Sequence, residues 1–123
     1  MTITKALDAL DRAKPNVFTQ AEKLGWLSEV EGTITEEIVR THKGGEAEEF
    51  VPFGDGTDME TELTAPPPYD RLYPLYLAAQ VDRMNGETGK YNNSMTLFSA
   101  AYGDFRSWYN RTHEPAGEAV QYW

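Results

Sequence analysis

The chain contains no cysteine, which excludes a disulfide framework, a thiol nucleophile and thiolate ligation of a metal. It has only two histidines, His42 and His113. Neither belongs to a Glu-x-x-His or His-Glu-x-x-His pattern, so a di-iron or zinc site has no anchor. No apolar run is long enough to cross a bilayer, and no membrane partner is expected. Base is scarce: 11 Lys and Arg stand against 20 Asp and Glu, a net charge of −9. Phosphate backbones repel such a chain, so nucleic-acid binding is not expected. Gly-rich phosphate loops and nucleophile elbows are missing too. Acid appears as early as Asp8, too early for a signal peptide, and the expectation is an unexported protein.

What is present suits one small helical domain. The 123 residues are 40% hydrophobic and 12% aromatic, enough for one modest core but not for two. Ile3, Leu7 and Leu10 fall on one face of an opening helix, which Lys14-Pro15-Asn16 should end. Thr19-Gln20-Ala21-Glu22 has the form of a capping box. Leu24, Leu27, Val30, Ile34 and Ile38 follow at helical steps. Gly32 interrupts that run, and Thr33-Ile34-Thr35-Glu36 offers a second capping box, so one helix and two kinked helices fit equally well. Asp70 reads as the N-cap of a third helix reaching about Asn85, with Pro74 in its first turn. In a fourth helix, Tyr91, Met95, Phe98, Tyr102, Phe105 and Tyr109 step by 4, 3, 4, 3 and 4. Without interleaved Lys or Arg that stripe reads as core packing, not a nucleobase-stacking platform.

The stretch from Gly44 to Pro68 differs in character. It carries seven acids, Glu46, Glu48, Glu49, Asp55, Asp58, Glu60 and Glu62, and no base. Its acidity and lack of helical period read as non-core: either a loop or a short β-hairpin pairing residues 49–53 with 59–65 across Gly54-Asp55-Gly56-Thr57. Pro66-Pro67-Pro68 should stiffen the approach to the third helix. The expected architecture is therefore mainly α: a compact bundle of about four helices over residues 1–115, with an acidic insert at about 44–68 and a C-terminal tail, 116–123.

Tests for chemistry return little. Asp8/Asp11 and Glu46/Glu49 have the i, i+3 spacing of paired carboxylates, but they sit in different kinds of segment. Asp55-Gly56-Thr57-Asp58-Met59-Glu60 is out of register for a calcium loop. No catalytic residue, cofactor or metal ligand is assigned, and no enzymatic activity is expected. Two features point to protein binding instead. The insert is long for a connection inside a helical domain, and the tail ends in Tyr122-Trp123, residue types favoured as interface anchors. The candidate interface residues are the seven acids together with Tyr122 and Trp123.

Particular strings then add a resemblance. Pro67-Pro68-Tyr69-Asp70-x-Leu72-Tyr73-x-x-Tyr76-Leu77 leads to Ala79-Gln80-Val81-Asp82, Asn85-Gly86-Glu87, Tyr91-Asn92-Asn93-Ser94 and Tyr109-Asn110-Arg111-Thr112-His113-x-Pro115. With Lys14-Pro15-Asn16, Trp26-Leu27 and Gly32-x-Ile34, these resemble small proteins encoded among the head-morphogenesis genes of phages and prophages of Gram-positive bacteria. Those proteins are similar to the head–tail connector (adaptor) proteins of long-tailed bacteriophages. The resemblance covers about residues 5–115 and leaves the tail outside it.

It implies a mostly α-helical subunit of a ring, commonly twelve-fold, beneath the portal. The expected partners are the portal protein, tail-side neck proteins and further copies of the chain, with genomic DNA passing through unbound. The expected location is the virion neck, and the host cytoplasm during assembly. The family has no catalytic residues to carry over, and by position its Tyr-Asn-Asn and Asn-Arg-Thr-His strings read as capping and packing residues. A further expectation is that residues 44–68 and 116–123 order only on docking. The alternatives from other classes are an acidic cytoplasmic adaptor or inhibitor of a basic host protein and, more remotely, a carboxylate-metal hydrolase.

Overall fold

Ile3, Ala6, Leu7 and Leu10 form the buried side of the first helix, α1 (Ile3–Ala13), in a computed structural model that describes residues 1–117. Thr2 caps α1 by accepting from the Lys5 amide. The second helix, α2 (Gln20–Glu37), opens on the full capping box, with Thr19 and Glu22 satisfying each other's amides. It is a single helix through Gly32, and a short 3-10 turn, Val39–Thr41, follows. The second capping box does not form. Thr33 and Thr35 donate back to the carbonyls of Glu29 and Glu31, which leaves the helix continuous.

The third helix, α3 (Leu72–Met84), packs against α1, α2 and the fourth helix, α4 (Thr88–Thr112). Its contribution to the core is Leu72, Tyr73, Leu77 and Val81. A 3-10 turn, Tyr69–Arg71, precedes it, so Asp70 is not its N-cap. Arg71 holds that position, and the Asp70 carboxylate faces the Met1 amine at 3.5 Å. Pro74 does lie in the first turn. The Pro67–Pro68 bond is cis, and the Tyr69 amide donates to the Pro66 carbonyl at 2.7 Å. Gly86 turns the chain from α3 back into α4 with a φ of +71°, a value that favours glycine.

Only Ala101 and Phe105 of α4 are fully buried. Tyr91, Met95, Phe98, Tyr102 and Tyr109 are half-covered. The stripe does face the core, but α4 rests chiefly on α3 and the turn before it, with no further layer behind among the described residues. Leu97 is 51% exposed on its outer side.

Among the described residues there is no strand, so the hairpin alternative is not what forms. Residues 59–63 run instead beside the chain's first residues. The amides of Ile3 and Thr4 donate to the carbonyls of Thr61 and Met59 at 3.1 and 3.0 Å, and the Leu63 amide donates to the Met1 carbonyl at 2.9 Å. The pairing follows burial, because Leu63 and Ala65 enter the core at 5% and 0% exposure. The reading of the whole insert as non-core is thereby corrected for its return limb. The insert is hydrogen-bonded to α1 and α2 of its own chain.

Candidate functional site

Glycine in a helix interior costs about 1 kcal/mol relative to alanine. Gly32 stands there because the outgoing limb of the insert lies against it. A Cβ at position 32 would sit 3.2 Å from the Phe50 ring. One end of this limb is fixed at Gly45, where a Cβ would come within 2.2 Å of the Val39 carbonyl oxygen. At the other end, the Phe53 amide donates to Ser28 Oγ at 2.7 Å. Residues 45–53 thus form a strap running back along α2 from Val39 past Gly32 to Ser28.

The strap leaves a hollow on each side of Phe50. One, of about 570 Å³, is lined by Gly32, Thr33, Glu36, Phe50 and Pro52. The other, of about 480 Å³, is lined by Thr35, Lys43, Glu48, Glu49, Tyr109 and His113, with Glu31 at its floor.

Glu31 is buried and fully engaged. It accepts from the Thr64 amide and hydroxyl at 2.8 and 2.9 Å and from the Tyr73 phenol at 2.7 Å. Tyr73 Oη in turn accepts from the Ala65 amide at 2.9 Å. Burial, and secondarily the Glu31 charge, push the Tyr73 phenol far up, so it stays neutral and keeps donating. One buried carboxylate therefore joins α2, the return limb and α3.

Tyr109 and His113 wall the second hollow as a parallel stack, with centroids 3.7 Å apart and planes 4° apart. Behind them His42 is buried. Its Nδ1 lies 2.6 Å from the Ile38 carbonyl, which can only accept, and its Nε2 lies 2.9 Å from Asn110 Oδ1. The segment after α4 is held over this corner, where the Lys43 amide donates to the Glu114 carbonyl and the Ala116 amide to that of Thr41. Burial, then the Glu48 charge, raise the Tyr109 phenol. Around the first hollow, which Glu29 and Glu37 also line, Tyr76 donates to Glu29 and Tyr102 to Glu37, at 3.0 and 2.8 Å. Partial burial and these carboxylates push both phenols up to about 12.

All seven insert acids are exposed, but they do not form one patch. Glu48 and Glu49 line the second hollow. Glu46 accepts from the Gly44 amide, Asp58 from the Glu60 amide, and Glu60 from the Thr4 hydroxyl. Glu62 lies 3.5 Å from the Met1 amine. Asp55 occupies the tip turn, where the Thr57 amide donates to the Gly54 carbonyl. Tyr122 and Trp123 lie outside the described residues. The Asp8/Asp11 pair is also divided in use, because Lys23 binds Asp11 at 3.0 Å.

Among the described residues, no three His, Asp or Glu side chains gather in a way that could hold a metal ion. No helix there is long and apolar enough to cross a membrane. Sequence reasoning missed Glu31, Tyr73 and the meeting of His42 with His113. Gly32 lies against Phe50, but Gly25 and Gly103, also inside helices, have nothing within 4 Å, so a helical glycine was no signal for these residues. Comparison of the chain with protein-family models, with curated proteins and with solved structures gives no match.

Proposed function

We propose that the chain is a structural, non-enzymatic subunit of a phage head–tail connector. It assembles as a ring under the portal, meets tail-side neck proteins, and continues the DNA channel without binding DNA specifically. It acts in the virion neck after assembly in the host cytoplasm. The observation that carries this reading is where the family-like strings fall in space. Lys14 binds the fully buried Asp82, which also accepts from Ser94 at 2.9 Å. Asn110 binds His42, and Tyr69 stacks on Trp108 at 5.2 Å. Lys14, Asp82 and Ser94 thus join three of the strings directly, while Asn110 and Tyr69 tie two more to His42 and Trp108, which suits a shared family architecture. The net charge of −9 suits a channel wall that repels the passing genome. A small subunit also gains from closed cyclic assembly.

The test uses DNA-filled heads from the encoding phage with this gene deleted. Purified protein should add a ring at the portal vertex, visible by electron microscopy, and restore tail joining. Heads that join tails normally without it would refute the connector role and favour the acidic-adaptor reading. That second reading draws on Glu48 and Glu49, which no lysine or arginine pairs among the described residues.

A further inference from the structure

The groove on either side of Phe50 has a chemistry that the ring reading leaves unused. Among the described residues, six carboxylates line its two hollows, against one lysine. That lysine, Lys43, is paired with Glu114 at 3.0 Å. Four of the six acids are occupied within the chain. Glu31 is fully hydrogen-bonded, Glu29 accepts from Tyr76, Glu36 pairs with Arg40 and Glu37 with Arg106. Glu48 and Glu49 are left exposed beside the Tyr109–His113 stack. Across the Phe50 ridge the surface turns apolar, with Phe50, Pro52 and the Gly32 gap, and the neighbouring Val51 is 77% exposed.

We propose that this groove docks an extended, arginine-bearing segment of a partner protein. Its apolar side chain fills the Phe50–Pro52 hollow, and its guanidinium lies against Glu48, Glu49 and the Tyr109–His113 stack. Charge complementarity selects a cation. The flat aromatic wall and two unpaired carboxylates select arginine over lysine, because a planar guanidinium stacks and pairs bidentately where an ammonium does not. The apolar hollow selects a peptide over a free cation. The strap is pinned at Gly45 and Phe53, so the site is formed before the partner arrives, and little ordering cost is due on binding. This inference rests on the protein-docking reading above but does not need the ring.

The probe is a fluorescein-labelled hexapeptide alternating arginine and leucine, with lysine–leucine and glutamate–leucine counterparts, titrated by anisotropy into the full chain. The arginine peptide should bind several-fold more tightly than the lysine one, and the glutamate one should not bind. The double variant Glu48→Gln/Glu49→Gln should weaken binding about tenfold. Asp55→Asn/Asp58→Asn removes the same charge outside the groove and should cost less than about twofold. Amide resonances of Gly32, Phe50 and His113 should shift on titration. Equal losses from the two double variants, or shifts scattered away from the strap, would reduce the effect to diffuse charge and overturn the site. Equal binding of the lysine peptide would overturn the guanidinium assignment. If no peptide binds while the wild-type chain still restores tail joining, the groove proposal fails and the connector reading stands.

Discussion

Tyr73→Phe removes one oxygen atom from the centre of the molecule and separates two kinds of hydrogen bond. The phenol donates to Glu31 at 2.7 Å and accepts from the Ala65 amide at 2.9 Å, with Tyr73 and Ala65 both at 0% exposure. A hydrogen bond to a buried charged group contributes about 1.5–3 kcal/mol, and an amide left unpaired in the interior costs about 1–3 kcal/mol. Glu31 keeps both Thr64 donors, and some relaxation is available at the Ala65 amide. The expected net loss is therefore about 3 kcal/mol, toward the lower part of the summed range. At this chain length that lowers Tm by roughly 10 °C. Urea unfolding should show a lower midpoint at unchanged slope, and amide exchange should accelerate first at Thr64 and Ala65. Tyr76→Phe is the matched comparison, since its phenol also donates to a carboxylate, at 3.0 Å, but from a half-exposed position. It should cost less than about 1 kcal/mol. If Tyr73→Phe cost no more than Tyr76→Phe, the account of Glu31 as the buried joint of α2, the return limb and α3 would be wrong.

Other positions give sharp contrasts. Lys14→Met strands the Asp82 carboxylate. Because Lys14 itself is partly exposed, the loss should be about 2–3 kcal/mol rather than the full cost of breaking a buried pair, and Asp82→Leu in the same chain should recover part of it, as urea midpoints would show. Gly45→Ala should cost about 2 kcal/mol or more, since the new methyl meets backbone. Gly54→Ala, with nothing within 4 Å, should be near neutral in the same assay. Tyr76 and Tyr102 titrate at about 12 against an ordinary 10.0, so folding favours their neutral forms. Their stabilising effect is fully present below pH 10 and is lost as pH rises through about 12. Tyrosinate absorbance should accordingly lag behind that of the urea-unfolded chain, and coincident titrations would contradict the assignment.

The helices were legible because their signals are local. The Thr19–Glu22 box, the stepping of Leu24 to Ile38, and Gly86 each act within a few residues, and all three elements form as the pattern predicts. The misreadings share one cause, tertiary competition for the same groups. Asp70 could cap α3, but it faces the Met1 amine instead. Met59 to Ala65 could pair with Glu49 to Phe53, but residues 59–63 pair with Met1 to Thr4 and the Ala65 amide bonds Tyr73, which buries Leu63 and Ala65. Seven charges in the insert masked those two core residues, since average acidity hides a single inward-pointing leucine. In the candidate site Glu48 and Glu49 stood out as charge, while Tyr109 read only as one tooth of a stripe. Nothing local announces that residues 42 and 113 share a corner.

The placing of α3 also bears on the order in which the chain can be made. α1 and α2 bury their apolar faces mainly on α3, and the first residues of the chain hydrogen-bond to residues 59–63. During synthesis, then, Ile3, Leu7 and Leu10 are made well before α3, the helix they chiefly pack on, is complete at residue 84. At about 5–20 residues per second that interval is of the order of several seconds. α1 is translated before α3 but cannot be fully seated until α3 has followed. A nascent chain stalled before α3 would expose the apolar faces of two helices beside an acidic loop whose like charges repel other copies.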